Sequence, residues 1–159
     1  MKIKTLATAT GLALGLSVSA FAAPFGGADD LAYAAKLWGS LQDTSLVGKD
    51  AIMSVPYTGV HPHGAILDTI DARARVGGDE GVVIIKRNYA GKGVSKAAVA
   101  KDPAKYLKAV TVMFKRQGYD AENKDWFWVK FAPGGAVLKN PKGMSLAGRV
   151  AKGLSLIHI

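Results

Sequence analysis

The residue type that most limits what this chain can become is the one it lacks: none of its 159 residues is a cysteine. Its N-terminus gives that absence weight. Lys2 and Lys4 precede an apolar run from Leu6 to Val18, and Ala20-Phe21-Ala22 has the small-x-small form of a cleavage site, which together read as a secretory signal removed after Ala22. An N-terminal core helix is the weaker alternative, because the run has no polar face and Pro24, Gly26 and Gly27 follow at once. The run is also too short and too rich in Ala, Gly, Ser and Thr for a stable membrane span. Export to the periplasm is the expectation. A domain exported without cysteine cannot use disulfides, so packing or a bound cofactor has to hold it together.

The far end is read separately. Leu154 to Ile159 resembles the in-frame translation of a sequencing adaptor more than a structural element, with a short apolar strand as the alternative. Residues 23–153 are then the domain, expected to be incomplete at its C-terminus. With 49% hydrophobic and 21% charged residues it is neither disordered nor fibrous in composition. The formal charge of +9 is unevenly spread: residues 23–85 carry four Lys or Arg against eight Asp or Glu, and residues 86–153 fifteen against four. The lysines of the basic half stand singly, which favours a solvated basic face over a nucleic-acid surface.

Periodicity supplies the elements. Leu31, Ala34, Ala35, Trp38 and Leu41 recur at helical spacing behind Asp29 and Asp30, which suit the positive end of a helix, so a helix from Asp29 or Asp30 to about Leu41 is predicted. Ala65 to Ala72 alternates as a strand, with Ile66, Asp68, Ile70 and Ala72 on one face and Leu67, Thr69 and Asp71 on the other. Gly77-Gly78-Asp79-Glu80-Gly81 predicts a turn, and Val82 to Tyr89 a β-branched strand that sets Lys86 in line with Val82 and Ile84. Residues 90–106 are Gly- and Lys-rich and read as a loop with at most one helical turn, opened by Asp102-Pro103. Leu107 to Arg116 alternates with Val110, Val112 and Phe114 on one face. Trp126 to Phe131 does so with Trp126, Trp128 and Lys130 opposite Phe127, Val129 and Phe131, and the two make a loose antiparallel hairpin. Pro133-Gly134-Gly135 ends it, Asn140 to Gly143 breaks the chain again, and Ala147 to Lys152 follows. The sum is an α+β domain, a mostly antiparallel β-sheet with an N-terminal helix packed on it.

Five segments carry a family resemblance. Pro62-His63-Gly64, Glu80-Gly81-Val82-Val83-Ile84-Ile85-Lys86, Val112-Met113-Phe114-Lys115-Arg116, Asp125 to Phe131 and Lys139-Asn140-Pro141-Lys142-Gly143 are similar to the cytochrome P-460 family, over about residue 50 to Gly153. In that family the chain runs on into Cys-x-x-Cys-His, which attaches a c-type haem. Here that motif is expected beyond Gly153, and the absence of any cysteine is the departure from the pattern. The resemblance implies a haem c cofactor and oxidation of hydroxylamine, with nitric oxide as a further substrate. It equally allows a non-catalytic nitric-oxide-binding or electron-transfer protein of the cytochrome c′ β type. It also implies a small nitrogen-oxide substrate or ligand, a soluble redox partner such as a small cytochrome, and a homodimer.

The resemblance assigns one residue a role: Lys86, five positions after Gly81, matches the lysine that cross-links to the porphyrin in catalytic members. An amine on an apolar strand face loses hydration and tends toward its neutral, nucleophilic form; the plainer reading is a strand-end lysine reaching to water. His63, with His61 beside it, and Asp68 are further candidates for the cofactor pocket. Two histidines make no closed metal site, though, and the commoner role of an aspartate such as Asp68 is a solvent-facing one. Trp126 and Trp128 are candidates to stack near a porphyrin, or else plain core residues.

Overall fold

The structure, a computed structural model, describes residues 26–60 and 63–149. The signal-like segment, His61, Pro62 and everything from Val150 onward lie outside these residues. A helix, α1 (Ala28–Asp43), leads into two-residue β1 (Tyr57–Thr58), then β2 (Ile66–Val76) and β3 (Asp79–Tyr89). Two short helices, α2 (Lys96–Lys101) and α3 (Pro103–Tyr106), precede β4 (Leu107–Lys115), β5 (Trp126–Phe131) and β6 (Ala147–Arg149). The six strands form one sheet in the order of the chain, each antiparallel to the next. This is the expected α+β arrangement.

One face of the sheet is the core. Ile70, Ala72, Ala74 and Val76 of β2 stand beside Val83 and Ile85 of β3, Val110, Val112 and Phe114 of β4, and Phe127, Val129 and Phe131 of β5. Against them α1 sets Tyr33, Ala34, Leu37, Trp38 and Leu41. Leu37 and Leu41 are fully buried, each contributing roughly 1.5–3 kcal/mol by removal from water. Asp29 and Asp30 occupy the first turn, as the helix dipole favours. Asp30 is itself buried, accepting a 2.7 Å hydrogen bond from the Tyr119 hydroxyl.

Two sequence expectations are corrected, and one element was not foreseen. The β2–β3 turn is only Gly77-Gly78, and Asp79, Glu80 and Gly81 belong to β3; Gly77 supplies the positive φ of a tight hairpin, so nothing longer is needed. Residues 90–106 hold two helices rather than a loop with one turn. Ser95 Oγ accepts from the Ala98 amide to start α2, and Asp102 Oδ1 accepts from the Lys105 amide to start α3. Val99 buries itself against Ile66 and Tyr89, which gives this polar-looking segment its anchor. Last, the edge pairing of Tyr57 with Leu67 and Thr58 with Ile66 comes from a segment with no alternation to announce it.

Candidate functional site

Because side chains alternate across a strand, the register that fills the core also assembles the opposite, outer face. Two rows matter there. One runs Thr69, Lys86, Thr111, Lys130 across β2 to β5, and its neighbour runs Asp71, Ile84, Met113, Trp128, with Gly148 of β6 beyond. Directly opposed residues in such rows have Cβ atoms about 5 Å apart. Lys86 is thus flanked by two threonines in its own row and by apolar side chains in the next. It is half-buried. Loss of hydration, and then the charge of Lys130, push its ammonium below the ordinary lysine range.

The Gly81–Lys86 spacing has a structural cause. Five residues along a strand reverse the face, so Gly81 lies on the core side and Lys86 on the outer side. At Gly81 the backbone of β4 comes so near that a Cβ would sit 2.0 Å from the Lys115 carbonyl oxygen. No larger residue fits there.

His63 reaches the same outer face through its backbone. The Asn88 side-chain amide donates to the His63 carbonyl, and Asn88 lies two residues beyond Lys86 on the same side of β3. The His63 backbone is therefore held at the edge of the Lys86 surface, while His61 lies outside the described residues. Trp126 and Trp128 also share this face, Trp128 in the row beside Lys86 and Trp126 opposite Lys115, whose ammonium lies 5.2 Å from its ring centroid.

Asp68 does not join them. It lies on the core side with 0% exposure, so neither a place beside Lys86 nor a solvent-facing role describes it. Arg87, its cross-strand partner, donates to one carboxylate oxygen at 2.8 Å, and the Tyr89 hydroxyl to the other at 2.6 Å. Arg87 also donates to the Leu46 and Ile52 carbonyls at 2.8 and 2.9 Å. The group thus pins residues 46–52 over the end of the sheet that α1 leaves uncovered. Both carboxylate oxygens are engaged, and the cluster is structural.

Lys130, Thr111 and Asn88 are the site neighbours that sequence reasoning missed. Lys130 was visibly on a face with two tryptophans, but only the register across β4 shows that this is the face of Lys86.

Among the described residues no group of three or more His, Cys, Asp or Glu is placed to hold a metal ion, and no helix is long and apolar enough to cross a membrane. No family model, curated protein or solved structure matches the chain.

Proposed function

We propose that this chain belongs to an exported haem protein of cytochrome P-460 type, in which Lys86 forms a covalent link to the macrocycle in addition to thioether attachment. The observation that carries the reading is the setting of Lys86: a half-buried amine with weakened basicity, at the end of a Gly-x-x-x-x-Lys spacing, on a sheet face that α1 leaves uncovered. The residues of that face suit a flat apolar ligand. Ile84 and Trp128, both partly exposed, flank the buried Met113 in one apolar row, with Lys86 a nucleophilic nitrogen at its margin and the His63 backbone at one edge. Thioether attachment would need a Cys-x-x-Cys-His that these residues, having no cysteine, do not supply. When bound, haem supplies the redox chemistry for hydroxylamine; the chain's residues orient it, exclude water and set local charge.

A second reading draws on the neighbours of Lys86. Thr69 and Thr111 flank it in its row, and a threonine hydroxyl takes up no proton near neutral pH. A surface of this kind suits a ligand held without turnover, as in a nitric-oxide-binding or electron-transfer protein of cytochrome c′ β type.

One experiment addresses both. In a full-length protein carrying the downstream motif, Lys86→Arg should leave thioether attachment intact and abolish the red-shifted absorption of a lysine-linked haem, since arginine is too basic to become the neutral nucleophile. Hydroxylamine turnover should fall while nitric oxide binding persists. An unmodified Lys86 in a tryptic map of the wild-type holo-protein favours the second reading, and a gene that continues without the motif removes both.

A further inference from the structure

Lys86 and Lys130 stand in one row of the outer face with only Thr111 of β4 between them. Two strand spacings put their backbones roughly 10 Å apart, so their flexible ammonium groups share one patch. Both are half-buried. A half-buried lysine ordinarily lays its stem on the sheet and turns its ammonium to water; two in one row, neither with a salt-bridge partner among the described residues, crowd like charges onto one patch. The surrounding charges do not offset them. From β2 the same face presents Asp71, exposed and diagonal to Lys86, and Arg73; from β3 it presents Glu80, engaged with Arg73 and Arg75 at the far end; β4 adds Lys115.

We propose that Lys86 and Lys130 form a two-amine carbonyl-addition site, in which Lys86 is the nucleophile toward an apolar aldehyde seated on the partly exposed Ile84 and Trp128, either side of the buried Met113, and Lys130 is a positioning residue. The Lys86 nitrogen adds to the carbonyl carbon and forms a C–N bond, while the oxygen takes up the proton that nitrogen loses. The carbinolamine then expels water and leaves an imine. Lys130 acts through its charge alone, by disfavouring a second cation beside it, as paired lysines do in imine-forming enzymes. The inference rests on reading Lys86 as a nucleophile, as the proposed haem link does, but it concerns the chain without haem and a different class of electrophile.

The test is competitive reductive alkylation of the purified chain at neutral pH, with limiting benzaldehyde and cyanoborohydride, followed by peptide mass mapping. Lys86 should be benzylated several-fold faster than the exposed Lys92 and Lys96, and the preference should be smaller with formaldehyde, which gains little from the apolar row. Lys130→Met should slow Lys86 labelling about threefold at low ionic strength, as expected for unit charges at this separation in a wet surface, whereas Lys130→Arg should preserve the rate. Should Lys130→Met fail to fold, added salt on the wild-type chain takes its place and should lower the Lys86 to Lys92 ratio by screening. Equal labelling of Lys86 and Lys92 overturns the site, equal preference for the two aldehydes overturns the apolar ligand, and indifference to both Lys130→Met and salt overturns the role of Lys130. An unmodified Lys86 in the holo-protein would strike the haem link and leave this result standing.

Discussion

The buried ion pair is where single residues carry the largest free energies. Asp68 and Arg87 are 0% and 2% exposed, and removing one member leaves the other charged, desolvated and unpaired. Asp68→Ala should therefore destabilise the fold by about 3–5 kcal/mol in urea unfolding. The double variant Asp68→Leu with Arg87→Met should lose much less than the sum of the single losses, because no orphaned charge remains. It should still release residues 46–52, whose carbonyls Arg87 holds, and proteolysis should move to that segment. Additive losses would refute the electrostatic account. Lys86 behaves in the opposite sense. Its native basicity is lowered from the ordinary lysine value of 10.5, so in the pH range between its native value and 10.5 the unfolded chain binds more protons, and stability rises with pH there. Lys86→Met should flatten that rise and increase Tm at neutral pH, since it removes a half-buried cation from an apolar face. A lower Tm would mean that the ammonium is better solvated than its surroundings imply.

At the scale of elements, alternation and register account for nearly all of what could be read beforehand. The helix and the cores of β2 to β5 announced themselves through apolar spacing, and β5 begins and ends where the Trp126–Phe131 alternation does. The elements that went unread have tertiary causes. α2 is six residues long and mostly exposed, and only Val99 commits it to the fold. β1 exists because β2 offers it an edge. For the site, the face of Lys86 was legible within its own strand, but its neighbourhood was not, since Thr111 and Lys130 reach it only through two cross-strand registers. Asp68 failed for the same reason: alternation placed it correctly with Ile66 and Ile70, yet which side of the sheet the helix would cover was not written in that strand. Gly81 tests the register directly. Gly81→Ala would drive a Cβ into the Lys115 carbonyl and part β3 from β4, at a cost of about 1–3 kcal/mol. Gly78→Ala, where nothing lies within 4 Å, should cost far less. Comparable losses in guanidinium melts would mean that the strands approach less closely than their register implies.

At the scale of the molecule, three tyrosine hydroxyls among the described residues donate to carboxylates that join separate parts of the chain. Tyr33 of α1 binds Asp79 at the start of β3 at 2.7 Å, Tyr119 of the β4–β5 connection binds Asp30 of α1 at 2.7 Å, and Tyr89 of β3 binds Asp68 of β2 at 2.6 Å. Arg116, stacked 3.8 Å from the Tyr33 ring centroid and donating to Asp79 at 3.1 Å, ties the first of these into the sheet. In each case burial first, then the bonded carboxylate, raises the phenol above its ordinary value of 10.0. The sign for stability follows from proton counting. Below pH 10 both folded and unfolded chains keep these protons, and the bonds contribute in full; above it the unfolded chain releases protons that the folded one retains, so stability falls as pH rises. With three such groups changing together, alkaline unfolding should be steep and should begin above about pH 10. The tyrosinate absorbance of Tyr33, Tyr89 and Tyr119 should appear together with the loss of far-ultraviolet circular dichroism. Tyr33→Phe should shift the midpoint upward by removing one of the three ionisations that pull the chain apart, even though it weakens the fold at neutral pH by the worth of a hydrogen bond to a charged group, about 1.5–3 kcal/mol. If all five tyrosines ionise while the dichroism stays native, these hydroxyls are not held by their aspartates, and the long-range ties between α1, β3 and the β4–β5 connection lie in packing alone.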